Sequence, residues 1–452
     1  MRAGWPSTRT KFSRLTIALA ITIMAGCATA TKPAANATSA GATTPAPAAP
    51  AAPASNTQPE AVDFTKIDQK SCPKQADSFA DWVGRFEAFA LHRGQKKELI
   101  ASAFAAVREN PDIAEKAGKQ PEFVIPVWGY LDKAVSDERV KLGQEKYVEN
   151  ESAVKAAAKH YGVDVGTLMG IWGIETNFGS NFGDVSVFEA LSNVGYGANR
   201  AAFACEELLA ALKIASSGQI PVSEMVGSWA GAMGHSQFLP SKYLELAVDA
   251  DGSGAPDLWT SMPDVFASTA NHLIHGGWKP GLVWGLEVAL PKKFPYAQAE
   301  LDIKNPVEHW RKLGVKTVDG KALPALPGDT SILVLGGWKG PAFLITDNFR
   351  AILKYNYSTS YALSVAYLGQ RVLGGTGIKG SWPTDEQPLS LEEREELQNL
   401  LAARGYDVGD VDGVLGLKSR KAARLFQKQI GWPQDGFLNK ALLEELRKRS
   451  AS

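Results

Sequence analysis

The sequence predicts a mainly α protein with a small strand-containing insert and a small three-helix unit at its C-terminal end. Three observations carry this. Phe79, Trp82, Val83, Phe86 and Phe89 recur at three-four spacing, which puts them on one face of a helix. The stretch Leu286–Leu335 abandons that period and is rich in Pro, Lys and β-branched residues, the composition of a strand-bearing insert. Beyond it, Leu389–Arg449 reads as three helical segments separated by Gly-Tyr and Asp-Gly turns.

Length and charge bound the reading. A chain of 452 residues is too long for one ordinary core and should hold two or three units. Lys+Arg and Asp+Glu both number 48, so no excess positive charge invites nucleic acid. There is no Ser-His-Asp signature, no Cys/His zinc spacing, no phosphate loop and no internal repeat.

In chain order, residues 1–27 read as a targeting segment: Arg2, Arg9, Lys11 and Arg14 precede an apolar run, Leu15–Ala25, too short to span a bilayer. Its end, Met24-Ala25-Gly26-Cys27, resembles a bacterial lipoprotein signal, with Met24 where Leu is usual. That resemblance implies acylation of Cys27 and, because Ala28 rather than Asp follows, delivery to the outer membrane. A plain secretory signal with an incidental Cys is the alternative. Residues 28–65 form an Ala/Pro-rich linker that cannot bury a core; at about 3.1 Å per residue it reaches roughly 100 Å. Residues 66–373 form the main unit, with further helices expected around Lys96–Arg108, Asn150–His160, Val165–Thr176, Arg200–Ser216, Pro240–Val248, Met262–His275 and Thr346–Tyr355. Gly374–Pro388 is a Gly/Pro/Ser-rich linker before the last unit, 389–450. With Cys27 set aside, Cys72 and Cys205 remain. In an oxidising compartment such a pair either bridges or stays as two buried thiols.

The most informative segment is Gly170–Gly179, GIWGIETNFG. It puts Glu175 at the end of an apolar, glycine-punctuated helix beside Ile171, Trp172 and Ile174. Hydrocarbon surroundings penalise the charged carboxylate and raise its pKa, the property a general acid needs to protonate a sugar oxygen. The plainer reading is a satisfied, half-buried Glu at a helix terminus.

Together with Gly227–Pro240 (GSWAGAMGHSQFLP) and Tyr355-Asn356-Tyr357-Ser358 with Tyr361, this stretch resembles the lytic murein transglycosylase B family over most of residues 78–371. The tail, with Asp412–Gly416 and Arg420–Gln427, resembles a peptidoglycan-binding domain. The resemblance implies a lysozyme-like α-helical catalytic domain. It also implies a non-hydrolytic cleavage between N-acetylmuramic acid and N-acetylglucosamine that leaves a 1,6-anhydromuramic end. Glycosidases commonly use two carboxylates, yet no second one here has an equally apolar setting. The family implication is that Glu175 acts as acid and then as base.

The same resemblance assigns substrate contacts to Ser228, Gln237, Asn356, Tyr130, Tyr355 and Tyr361, and a peptide- or lactyl-facing role to Arg200. His272 stands where some relatives carry a cleft Tyr, and His235 matches no motif. Asp249, Asp251 and Ser253 alternate, with Gly254 at the sixth place of the run, as in a calcium loop. Thr260 replaces the usual twelfth-place Glu, and the resemblance implies that Asp264 and the Ala255 carbonyl complete the shell. A metal-free Asp/Gly turn is the alternative. Catalysis calls for no cofactor, and any calcium would be structural. The implied partners are peptidoglycan strands, the outer membrane through a lipid anchor, and other cell-wall enzymes, in the periplasm. Two rival functions stand beside this one: a hydrolytic muramidase, and a non-catalytic peptidoglycan-binding envelope lipoprotein.

Overall fold

The computed structural model describes residues 71–74, 76–113, 125–197 and 200–450. The lipidation and linker readings at 1–65 lie outside these residues. Helix starts follow side-chain caps. Ser78, Ser136, Asp164, Ser261, Thr346 and Ser358 each accept a backbone N–H one turn into the helix they precede, satisfying donors that otherwise have no partner.

The first helix, Phe79–His92, buries Phe79, Trp82, Phe86 and Phe89. With Lys97–Phe104, Val187–Gly197 and Ala201–Ser216 it encloses one core, in which Phe86, Phe104 and Phe188 meet ring to ring. Cys72 and Cys205 are disulfide-bonded, tying the start of this unit to the helix Ala201–Ser216. The second and larger core lies among the helices Val127–Ala134, Asp137–Tyr161, Val165–Thr176, Met262–His275, Asp347–Tyr355 and Thr359–Val372. Asp137–Tyr161 is far longer than the expected Asn150–His160, because its first half carries a charged, weakly periodic surface.

The helices Val165–Thr176 and Thr359–Val372 approach closely through glycine. A Cβ on Gly170 would overlap the Val365 carbonyl, and one on Gly369 would overlap the Gly166 carbonyl. Phe178 fits against Gly143 and Gly173, where an added Cβ would strike its ring.

The insert is a five-stranded antiparallel sheet. Its strands are β3 (Gly285–Ala289), β4 (Asn305–Pro306), β5 (Lys316–Thr317), β6 (Asp329–Leu333) and β7 (Ala342–Ile345), in the order β4-β6-β7-β3-β5. Ile332, Ala342 and Leu344 face a small core around Trp310, while Leu333, Phe343 and Ile345 face the large core. Both faces are buried, which is why Ser331–Leu335 reads as a continuous apolar run rather than an alternating one. A two-residue ladder, β1 (Val185–Ser186) with β2 (Val226–Gly227), ties the loop after Phe178 to the small-residue run.

The tail unit folds as helices Leu391–Ala402, Leu417–Gln429 and Lys440–Lys448 around Leu397, Phe426 and Leu442. It rests on the insert. Glu300 is ion-paired with Arg424 at 2.6 Å and with Arg420 at 3.6 Å. Burial pushes the Glu300 carboxyl upward, but the two guanidiniums outweigh it and hold it below the usual range. Phe437 packs beside Trp128, and Trp382 of the 374–388 segment packs beside Trp128 and Phe343.

Gly369→Ala should push the two central helices apart, lowering stability by about 1–3 kcal/mol as an overpacked core does. Denaturant melts would read the loss, and an unchanged midpoint would show that the helices separate freely.

Candidate active site

Glu175 lies on the last turn of Val165–Thr176 and is 7% exposed. Tyr361, on the first turn of Thr359–Val372, donates its hydroxyl to Glu175 Oε1 at 2.5 Å. Burial pushes the Glu175 carboxyl up to about 8, with the Tyr361 hydrogen bond pulling the other way. The group is therefore protonated at neutral pH, as a proton donor must be.

The backbone after Glu175 is unusual. Asn177 and Phe178 hold φ of 49° and 57°, and Gln237 holds 54°. These are the non-glycine residues with left-handed φ among those described, and such strain gathers at functional loops. Arg139 Nε donates to Asn177 Oδ1 at 3.0 Å. Gly179 follows at φ 81°, against the His235 ring, where a Cβ would overlap.

His235 is a functional residue that the sequence gave no reason to choose. Trp172 Nε1 donates to His235 Nδ1 at 3.0 Å, and Thr176 Oγ1 donates to the His235 carbonyl at 3.2 Å. Because indole N–H only donates, Nδ1 is the acceptor and the proton sits on Nε2, which faces the Trp259 carbonyl at 3.0 Å. Burial depresses the imidazole's pKa and keeps it neutral. The ring thus fixes the end of the helix that carries Glu175.

A hollow over Glu175 is lined by Gln237, Phe238, Lys242, His272, Tyr355 and Asn356, with Ala232 and Leu239. No second carboxylate lines it. The other buried carboxylates among the described residues are Glu207, Asp264, Glu287, Glu300 and Asp435, all outside it. Gln237 Nε2 donates to the Phe182 and Gly234 carbonyls, both at 3.0 Å, and its buried Oε1 has no hydrogen-bond partner. Tyr355 donates to the Ser236 carbonyl at 2.6 Å, and its ring lies 4.4 Å from that of His272. Burial, helped by the Lys242 charge, lowers His272 to about 4, so a neutral imidazole faces the hollow. Tyr130 sits buried behind Tyr361, close enough for its phenol to disfavour ionisation there.

Of the substrate-contact residues named from the sequence, Gln237, Tyr355 and Asn356 line this hollow, whereas Tyr130, Tyr361, Ser228 and Arg200 do not. Ser228 is buried in the small-residue loop, where its Oγ accepts the Ala232 N–H at 3.1 Å. Arg200 lies over the Phe203 ring, 5.4 Å from its centroid. Lys242, by contrast, lines the hollow without any motif to announce it.

A much larger groove of about 910 Å³ runs past Trp278, Trp284 and Tyr367 and does not include Glu175. Its carboxylates are committed elsewhere: Asp164 caps a helix, Glu287 accepts two backbone N–H groups, and Asp319 pairs with Lys379. Size does not pick out the reactive site; the buried acid does.

The Asp249 loop gathers three carboxylates. Oxygens of Asp249, Asp251 and Asp264 lie within 4.8 Å of one another. Ser253 Oγ lies 3.2 Å from the Ala255 carbonyl. No Lys or Arg pairs with these carboxylates among the described residues, so like charges converge around hard oxygen donors, the set that suits calcium. Leu258 and Trp259, just beyond the loop, accept the His235 N–H and face its Nε2.

Comparison with known proteins agrees with this geometry. The family described as transglycosylase SLT domain matches residues 78–370, and that described as putative peptidoglycan binding domain matches 390–446. Membrane-bound lytic murein transglycosylase B of Escherichia coli is 31% identical over 256 residues, 54% of this chain and 66% of that protein's length. SltB3 from Pseudomonas aeruginosa, solved in complex with NAG-anhNAM-pentapeptide, is 45% identical with a TM-score of 0.79. That match covers 82% of this chain and 100% of that one. The Escherichia coli lytic transglycosylase Slt35, solved in complex with calcium, is 25% identical with a TM-score of 0.57, over 69% of this chain and 94% of that one.

Activity should fall as pH rises through about 8, where Glu175 loses its proton. The Tyr361 bond stabilises the carboxylate, so Tyr361→Phe should move that alkaline limb of the kcat/KM profile to higher pH. A limb that stays in place or moves down would sever the link between the two groups.

Proposed function

The chain belongs to the lytic transglycosylase family, and from that premise we propose that Glu175 drives non-hydrolytic cleavage of peptidoglycan between N-acetylmuramic acid and N-acetylglucosamine. One observation carries the reading: a single buried, protonated carboxyl lines a hollow that holds no second carboxylate. Tyr361 occupies Oε1, which leaves Oε2 to carry the proton toward the glycosidic oxygen. As that oxygen leaves with the proton, the bond to the muramic anomeric carbon breaks, and the sugar's own acetamide stabilises the positive charge. Glu175, now a carboxylate, removes the proton from the muramic 6-hydroxyl while O6 bonds to the same carbon. The product is a 1,6-anhydro end, water is not consumed, and Glu175 regains its proton. Intramolecular closure has a high effective molarity, so no activated water is needed. The unpartnered Gln237 Oε1, with Asn356 beside it, offers hydrogen bonds to a sugar acetamide.

The same reading places the protein in the periplasm, held to the outer membrane by a lipid on Cys27 and to the wall by residues 390–446. The Escherichia coli relative is membrane-bound by name, and among the described residues no helix is long and apolar enough to cross a membrane. Calcium would be held by Asp249, Asp251, Ser253, Ala255 and Asp264, where it would offset the converging carboxylate charges and stiffen the path to His235. It takes no part in the proton transfers.

Glu175→Gln should lower turnover of purified sacculi by about 10²–10⁴-fold. It should also melt higher than wild type at neutral pH. The folded carboxyl's pKa lies above its free value of 4.5, so its contribution is intact below about 4.5 and erodes as pH climbs toward 8. Mass analysis of wild-type products should show ends one water lighter than reducing ends. Ordinary reducing ends would make the protein a muramidase, and undiminished release by the variant would remove Glu175 from the mechanism. Chelation with EGTA should lower Tm by about 4 °C or more, the scale of a bound-ion contribution of a few kcal/mol, and an unshifted melt would mean a loop without metal.

A further inference from the structure

Where the tail unit meets the insert, the two share a hollow of about 310 Å³ lined by Trp338, Lys339, Glu386, Trp432, Pro433 and Asn439. We propose that this junction is a second saccharide site, taking one neutral N-acetylated sugar ring of a glycan strand between Trp338 and Trp432. It rests on the peptidoglycan reading only for the identity of the polymer.

The two indoles belong to different units and are both exposed, at 50% and 38%. Both are held by their backbones. The Trp338 N–H donates to Asp435 Oδ2 at 2.8 Å, and the Trp432 N–H donates to the Gln427 carbonyl at 2.9 Å. Gly337, at φ 69°, lets the insert approach so closely that a Cβ there would lie 2.9 Å from Asp435 Oδ2 and 3.0 Å from Phe437 Cβ. The Arg424–Glu300 pair fixes the same seam. These walls are therefore preorganised rather than free to collapse onto each other, which lowers the cost of binding.

Volume and charge select the ligand. The hollow lies at the small end of the roughly 300–1,000 Å³ typical of ligand pockets, enough for a ring and its substituent. Its one lysine is already paired, Lys339 Nζ lying 3.3 Å from Glu386 Oε1, and Asn439 Nδ2 donates to Glu386 Oε2 at 2.9 Å. No surplus positive charge remains to favour a carboxylate or a phosphate. What the site offers is two flat apolar faces, a carboxylate acceptor and amide and ammonium donors, the complement of a ring with apolar C–H faces and equatorial hydroxyls.

The test follows the indole N–H signals of the full chain by NMR during titration with N,N′-diacetylchitobiose. The Trp338 and Trp432 signals, assigned with Trp338→Ala and Trp432→Ala, should move and saturate. Trp432→Ala should weaken the response at Trp338 about tenfold. Silence of both signals to about 10 mM probe, in the range of the weakest specific affinities, would overturn the proposal. So would an unchanged Trp338 titration in Trp432→Ala, or movement only with an anionic muramyl peptide. None of these readouts involves turnover, so failure here is separable from failure of the catalytic assignment.

Discussion

The active site depends on how closely two helices can cross. Val165–Thr176 and Thr359–Val372 meet backbone to backbone at Gly166, Gly170 and Gly369, and that approach brings Tyr361 to Glu175 across 186 residues of sequence. The same contact strips water from the carboxyl. Desolvation raises its pKa, and the phenol keeps it from rising further. Packing and acid strength are thus set by the same few missing methyl groups.

Around this contact, each loop does one mechanical task. The strained Asn177-Phe178-Gly179 turn locks the helix end, His235 clamps it through Trp172 and Thr176, and the Asp249 loop leads through Leu258 and Trp259 to His235. The small-residue run Gly227–Gly234 permits this crowding, since a Cβ on Gly227 would overlap the Ala232 carbonyl and one on Gly234 the Leu258 carbonyl.

Much of this was legible in the chain. The helices Val165–Thr176 and Met262–His275 match their expected bounds, because each follows a capping residue and ends at Asn or Gly. Glu175 announced itself by its apolar context. Val187–Gly197 and Thr359–Val372 did not, since a helix buried on nearly every side carries no polar stripe to betray its period. The partners of Glu175 were hidden for another reason: Tyr361 could be named only through family likeness, and His235 not at all, because its role is fixed by residues 63 and 59 positions away. Gly374–Pro388 lacks helix and strand as its composition suggests, yet Lys379 and Gly380 donate to Glu287 and Trp382 is packed. The tail is seated on the insert and against Trp128, which shares a helix with Tyr130.

The bond between Cys72 and Cys205 has a mechanical meaning. Residue 72 stands at the edge of the described fold, just where the long N-terminal segment enters it. Any pull arriving along that segment passes through sulfur into the second turn of a sixteen-residue helix. It bypasses Phe79–His92, which would otherwise be peeled away turn by turn. Tension applied at residue 72 therefore enters the core around Ala201–Ser216 and not the helices that cradle the acid.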